Sequence, residues 1–344
     1  MYQFNNNKTN SINNQIFYHK NKMRWYQILF ISLISITSLI FFIINLLYIG
    51  KSLSTDYLQP ENSIFFRYSV YPALITPLVG FSLGVGTIAI QITTKNDLSG
   101  PTTLGFTPTI TLAIAISAVS TAEYIPNLLI RYLIGLALCS ILILVNFILT
   151  KGKINNNGFK PILIAFAIGS IAVAINVILV THSPNTVGRW ASYLNVSSSN
   201  GVNVTQFGFS VFLLIIPTLI IMFLWKKIDI MKRDLMLARS LGIKVDLIYW
   251  VVAFCLVIIT ITAALSLGLI VFFGVVISII VTRIFKHTNA LLQMLITGLL
   301  GTMILNFGSW ISEIQLGGIQ IIIAIISLPV FIYILKRRKI NQGV

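Results

Sequence analysis

The chain has 344 residues, of which 56% are apolar and 9% are charged, and its mean hydropathy is +0.92. A soluble protein of this length could not bury that much apolar surface and still cover itself with polar groups, so the composition excludes soluble enzymes and soluble binding modules. The formal net charge of +16 would suit a nucleic-acid partner, but the basic residues are arranged as in a membrane protein and favour a lipid bilayer instead.

Residues 1–24 form a polar, Asn-rich segment, which we predict to be a disordered cytoplasmic arm. After it, apolar stretches recur that are each close to the length a helix needs to cross roughly 30 Å of hydrocarbon. Helices are required because backbone polar groups in lipid must be satisfied within the segment. The first stretch is too long for the apolar region of a cleaved signal peptide and is expected to remain as an anchor. We predict ten spans: 25–48, 69–92, 105–119, 125–149, 161–180, 207–225, 247–265, 268–285, 290–311 and 318–335.

The lysines and arginines are unequally distributed over the loops between these spans. With ten spans, 20 of the 24 Lys and Arg residues fall on the side that carries both termini. The four on the other side are Lys51, Arg67, Arg131 and Arg189. Because cytoplasmic loops are enriched in basic residues, both termini are predicted to be cytoplasmic.

The run Gln91–Gly105, QITTKNDLSGPTTLG, joins the second and third predicted spans. It resembles the signature loop of FecCD-type permeases, the membrane subunits of ABC importers for iron-siderophores, haem and cobalamin, whose usual form is Q-x-x-x-x-N-P-L-A-x-P-x-x-L-G. Asp97 and Ser99 depart from that form, since they stand where the family has Pro and Ala. We call residues 91–105 the signature segment. Its matching residues are Gln91, Asn96, Leu98, Pro101, Leu104 and Gly105.

A second motif lies between the sixth and seventh spans, at Asp234–Gly242. Asp234 is a good N-cap and Gly242 a good C′ residue, so a helix of about two turns is predicted, with Leu and Met on its surface. Such an exposed apolar helix needs a cover, which could be a partner protein or the lipid headgroups. The segment resembles the family's G-[DE]-x-x-A-x-S-L-G coupling helix, with departures at Asp234 and Leu235. The resemblance implies that it docks on an ATPase through Asp234, Leu237, Ala238, Ser240, Leu241 and Gly242.

Further matches extend the resemblance along the chain. Arg67 stands where the family has an outer-surface Arg that pairs with the substrate-binding protein. Gly268–Gly274 is similar to the family's entrance to the eighth span, although Ser278 and Ile279 replace the Pro-His that follows there. The resemblance covers residues 25–339, which we interpret as one permease domain followed by a tail at 340–344. It implies an all-α polytopic fold with the type II ABC importer architecture, in the cytoplasmic membrane of a bacterium.

The sequence also lacks features of other transporters. All eight acidic residues fall in loops or at span edges, whereas a proton- or sodium-coupled carrier usually places a carboxylate within the membrane. There is no G-x-x-x-x-G-K-[ST] loop, so this chain does not bind ATP by that route. Either the energy source for transport is on another polypeptide, or transport has no energy source. The first case fits an ABC permease and the second a channel or passive facilitator. A secondary transporter, a membrane anchor or an inactive permease paired with an active one remain alternatives.

The resemblance further implies the partners of the chain. They are a second permease subunit, identical or similar, two cytoplasmic ATPases that bind ATP and Mg²⁺, and an extracytoplasmic substrate-binding protein. We predict no catalytic residue, no metal site and no cofactor bound by this chain; Cys139 and Cys255 are interpreted as packing residues. Five glycines would let helices approach closely, mainly within one subunit: Gly80, Gly84, Gly86, Gly298 and Gly301. Four polar residues are candidates for the transport path or for interhelical hydrogen bonds: Gln91, Asn176, Gln293 and Asn306.

Overall fold

The structure is a computed structural model that describes residues 25–52, 70–120, 128–153, 159–182 and 204–313. Within these ranges the chain forms eleven α-helices and no strand. In chain order they are α1 Trp25–Ser52, α2 Tyr71–Thr94, α3 Phe106–Ser120, α4 Leu128–Thr150, α5 Phe159–His182, α6 Val204–Phe223, α7 Trp225–Arg233, α8 Leu235–Ser240, α9 Val245–Leu267, α10 Phe273–Ile284 and α11 Ala290–Glu313.

Seven of the described helices are long and apolar enough to cross a membrane, namely α1, α2, α4, α5, α6, α9 and α11. The apolar helices α3 and α10 are shorter. Together these helices account for nine of the ten predicted stretches and confirm an all-α polytopic membrane fold. The tenth stretch, 318–335, lies outside the described residues, as do the 1–24 arm and the 340–344 tail. The total of ten spans and the side of the termini therefore stay predictions.

The eighth predicted span is wrong at its beginning. It was expected over 268–285, but α10 begins only at Phe273. Gly268 ends α9 with a φ of 86°, and Phe272 takes a φ of 57° before α10 begins. The residues between Gly268 and Phe272 are apolar, so hydropathy alone could not show that this segment is not helical. Irregular backbone at membrane depth is tolerated only where it is buried in protein or lines a water-filled cavity.

The bundle is arranged around α2, α9 and α11. The apolar window of α2 is 78% buried and that of α9 is 72% buried, whereas that of α1 is 6% buried. The perimeter helices α1, α4, α5 and α6 present rows of exposed Leu, Ile and Phe, as expected of surfaces that face lipid. The short α3 packs against α4 and α5, away from the outer face of α1.

Glycines allow α2 and α11 to touch backbone to backbone. A Cβ atom placed on Gly80 would lie 2.5 Å from the carbonyl oxygen of Gly301, and one on Gly84 would lie 2.5 Å from that of Thr297. Gly298 is packed equally tightly, against the ring of Phe81. These contacts confirm that the glycines of the second and ninth predicted spans serve packing within one subunit. We call this contact the glycine seam.

The loops predicted to be cytoplasmic gather at one end of the bundle. Lys95, after α2, bonds to α7, and Lys232 of α7 bonds to the turn before α11. The Trp250 indole of α9 donates to the carbonyl of Gly152, after α4, at 3.3 Å. We call this the basic end; it comprises residues 94–98, 150–153, 224–246 and 284–290. Most of the lysines and arginines in the described ranges therefore lie at this end of the bundle, with Arg131 at the opposite end.

Candidate functional site

The signature segment begins with a tight turn at the basic end. Lys95 takes a φ of 54° and ends α2, with its N–H directed at the carbonyls of Gln91 and Ile92. The Asn96 Oδ1 accepts from the N–H of Leu98 at 2.9 Å, which is an Asx turn. The Nε2 of Gln91, a residue 4% exposed, donates to the carbonyl oxygen of Asp97. Gln91 and Asn96, the polar residues that match the family pattern, thus stabilise the fold of the segment.

The two departures from the family pattern are accommodated by this geometry. Gln91 bonds to the main-chain carbonyl of Asp97, which a Pro at that position would also provide. The hydroxyl of Ser99, fully buried, lies 2.7 Å from the hydroxyl of Thr94. A polar atom buried beside a partner costs far less than one left alone, so the family's Ala can be replaced by Ser here.

The second half of the signature segment turns back along α2 and meets α10. A Cβ atom on Gly100 would overlap Val275 of α10 and would lie 3.6 Å from Thr87. Thr87 is seven residues before the end of α2, or about 10 Å along the helix axis. Gly105, with a φ of 70°, then directly precedes α3 and lies beside the carbonyl of Ala165. The second half of the signature segment is therefore packed between α2, α5 and α10.

The predicted two-turn helix is present as α8. Asp234 is extended, and its side chain accepts from the N–H of Met236 at 2.8 Å. Gly242 has a φ of 77°, and the N–H of Ile243 donates to the carbonyl of Ala238 at 3.0 Å. These bonds confirm the predicted N-cap and C′ residue. A salt bridge of 3.3 Å from Arg239 to Asp246 ties α8 to the first turn of α9.

The two faces of α8 differ sharply. Leu235 and Ala238 are buried against the bundle, so Ala238 is a packing residue. Met236, Leu237 and Leu241 are 56%, 48% and 62% exposed. This apolar patch lies among charged residues at the basic end, where a partner protein or the lipid headgroups could cover it. The sequence predicted Leu and Met on the surface of this helix, but Met236 was not among the residues assigned to ATPase docking.

The structure connects the signature segment to α8, a link that the sequence did not reveal. The Lys95 Nζ donates to the carbonyls of Lys232 and Arg233, which directly precede Asp234. Arg67, the residue predicted to contact the substrate-binding protein, lies outside the described residues. Its proposed contact with a binding protein stays a prediction.

The four polar candidates for a path have different surroundings. Gln91 bonds within the signature segment, and the Gln293 Nε2 donates to the carbonyl of Phe285 at 2.6 Å, so both serve the fold. Asn176 is half-buried on α5. Asn306 lies in the wall of a mainly apolar cavity of about 530 Å³ between α1, α2, α6 and α11, together with Ser38 and Thr302.

Two solved structures share this fold. One, described as "An inward-facing conformation of a putative metal-chelate type ABC transporter", matches with a TM-score of 0.71 at 17% identity, over 89% of this chain and 98% of that chain. A second, "PsaBC from Streptococcus pneumoniae in complex with Fab", matches with a TM-score of 0.58 at 13% identity, over 77% of this chain and 90% of that chain. No curated protein matches the sequence closely enough to serve as a relative.

The chain therefore shares the helical fold of these two structures. The FecCD transport family matches residues 27–337, nearly the whole chain, and the chain belongs to that family. It is therefore a permease subunit of the ABC importer class rather than an enzyme, and in ABC importers ATP hydrolysis takes place on a separate subunit.

Proposed function

We propose that this chain is the permease of an ATP-driven importer that moves an iron chelate, an iron-siderophore, across the cytoplasmic membrane of a bacterium. An extracytoplasmic protein would capture the chelate and deliver it to the face opposite the basic end. Haem and cobalamin are alternative cargoes within the same family. The observation that carries the proposal is the capped helix α8, whose exposed apolar patch stands on a charged surface of a FecCD-family permease.

The assembly would contain a second permease subunit, identical or similar, and two cytoplasmic ATPases. Each ATPase would bind ATP and Mg²⁺ and would cover Met236, Leu237 and Leu241 of one permease subunit. An apolar patch of this kind gives a specific contact when a partner pocket removes it from water. The capped ends of α8 keep the patch rigid, so little order has to be created on binding.

Transport would follow from alternating access. Closure of the two ATPases around ATP would move the α8 helices, and the permease halves would open the path first to one side and then to the other. The described acidic residues of this chain lie outside the seven long apolar helices or at their ends, which fits a transporter whose energy is supplied from outside the membrane.

The test is co-purification of an ATPase with the full-length protein from membranes solubilised in mild detergent. Wild type is compared with the double variant Leu237→Asp and Leu241→Asp, which places two charges on the apolar patch. We expect wild type to retain a Walker-type ATPase that the variant loses, because burial of unpaired carboxylates is costly.

A control introduces two carboxylates elsewhere on the basic end, in the variant Lys151→Asp and Lys153→Asp, which also removes two lysines and so changes the net charge by twice as much as the test variant does. Both lysines lie in the turn after α4. This control should keep the ATPase. Absence of an ATPase from the wild-type protein would refute the proposal and would favour a channel or passive carrier.

A further inference from the structure

The side chain of Lys95 joins the signature segment to the helix that precedes α8. Its Nζ donates to the carbonyl of Lys232 and, at 3.4 Å, to that of Arg233. These are the last two carbonyls of α7, which have no partner within their own helix. A cation is favoured at this end of a helix by the helix dipole. Asp234, the N-cap of α8, is the next residue.

A second set of bonds joins α7 to the beginning of α11. The Lys232 Nζ donates to the carbonyl of Thr288, and the Asp229 carboxylate accepts from the N–H of Ala290 at 2.7 Å. Ala290 is the first residue of α11. The helix α7 is therefore bonded to the ends of two membrane helices, at α2 through Lys95 and at α11 through Lys232 and Asp229.

The two helices held by α7 are themselves locked together by the glycine seam. Gly80 and Gly301 leave no room even for a methyl group between α2 and α11. Packed cores of this kind do not deform continuously, so the pair shifts as one body. A displacement of α7 would thus reach both helices of the seam at their basic ends.

The charges around Lys95 affect the strength of its hydrogen bonds to the carbonyls of Lys232 and Arg233. Burial lowers the pKa of Lys95, while the Asp234 carboxylate opposes that shift. Lys232 faces Lys95 from α7, and Asp229 faces Lys232. Partial exclusion of water strengthens a charge-assisted hydrogen bond.

We propose that Lys95 transmits the movement of the ATPase-docking helix α8 to the α2–α11 pair and to the signature segment. The proposal rests on the function proposed above, because α8 must dock on an ATPase for its movement to follow ATP. Lys95 is a positioning residue for transport: it touches neither the cargo nor ATP, and it makes the permease follow the ATPase.

The test measures whether the signature segment follows nucleotide binding in the complete permease–ATPase complex. Spin labels are attached at Asp97→Cys in the signature segment and at Lys153→Cys in the turn after α4, both exposed positions. The two native cysteines, Cys139 and Cys255, are buried, so labelling is confined to the introduced sites. The distance between the labels is measured by pulsed electron resonance without nucleotide and with ATP plus vanadate.

In the labelled parent we expect a nucleotide-dependent change in this distance. Lys95→Met removes the donor but keeps the length of the side chain, and it should abolish the change while the ATPase still co-purifies. Lys95→Arg should restore the change, because a guanidinium can also donate to two carbonyls. Lys227→Met is the matched control: it removes one charge from an exposed lysine of α7, the helix that Lys95 contacts, and it should leave the change intact.

The outcomes separate the two proposals. If no ATPase binds to the labelled parent, the proposed function fails and the role of Lys95 fails with it. If the ATPase binds and Lys95→Met responds to nucleotide as the parent does, only the role of Lys95 is overturned. A parent complex that binds the ATPase but shows no change in distance would also overturn it, because the signature segment would then not follow α8.

Discussion

At the level of single residues, Gln91 holds the turn of the signature segment through its bond to the carbonyl of Asp97. Replacement of Gln91 by Leu would leave that carbonyl without its partner. The Gln91 Oε1 is buried and has no hydrogen-bond partner among the described residues. Because the substitution also removes this unsatisfied oxygen, part of the loss in stability is offset. We expect the free energy of unfolding to fall by about 1 kcal/mol, measured by unfolding in detergent.

The comparison variant is Asp97→Asn, which keeps the accepting carbonyl and changes only an exposed side chain. It should alter the free energy of unfolding by less than about 0.5 kcal/mol. Equal effects of the two substitutions would mean that the turn does not depend on the Gln91 side chain.

The ammonium group of Lys232 should titrate unusually low. Burial lowers its pKa to about 8, with Lys95 and Arg233 adding to the shift and Asp229 opposing it. The ordinary value of 10.5 applies to the unfolded chain, which therefore binds more protons between pH 8 and 10.5. The contribution of Lys232 to stability should rise with pH across that window.

The pKa of Lys232 can be read from the pH dependence of its acylation by a small amine reagent, followed by mass spectrometry of the full-length protein. A midpoint near pH 8 is expected. Asp229→Asn removes the carboxylate that favours the charged form and should move the midpoint lower. A midpoint at 10 or above in the parent protein would contradict the environment seen at α7.

At the level of helices, the glycine seam predicts a large difference between two glycine substitutions. A methyl group at Gly301 would overlap the backbone of α2, which cannot withdraw as a flexible side chain could. Gly301→Ala should lower the free energy of unfolding by about 1–3 kcal/mol. Gly208→Ala, on α6, meets no atom within 4 Å and should be neutral or slightly stabilising. Comparable losses from both would show that helix propensity and not the seam decides the effect.

The helices themselves were predictable because their signals are local. Continuous apolar stretches specify the spans, and Asp234 and Gly242 specify the ends of α8 by their own chemistry. The late start of α10 was not predictable. Gly268 and Phe272 have positive φ values and interrupt the helix, but they lie in an apolar run whose composition also suits a helix. The bond from Lys95 to α7 was equally hidden, because it joins residues 137 positions apart. Local patterns thus indicate the parts of the candidate site but not how those parts are connected.

At the level of the whole molecule, the basic end combines two properties that a driven permease needs. It exposes the apolar patch of α8, and it connects that patch to the glycine seam through Lys95, Lys232 and Asp229. The opposite end of the bundle carries the beginnings of α2 and α6 and the end of α5. Delivery of cargo at that end and drive at the basic end would separate the two partner surfaces by the thickness of the membrane.

This arrangement predicts the orientation of the chain, which labelling of single introduced cysteines can measure. Asp97→Cys at the basic end should resist a membrane-impermeant maleimide in intact cells and react in inverted vesicles, because positive loops face the cytoplasm. His182→Cys, exposed at the far end of α5, should show the reverse pattern. Cys139 and Cys255 are buried, so we expect little background labelling in either preparation. The protein without an introduced cysteine serves to measure that background. Reaction of position 97 from outside intact cells would place α8 away from ATP, and neither docking on a cytoplasmic ATPase nor transmission through Lys95 could then hold.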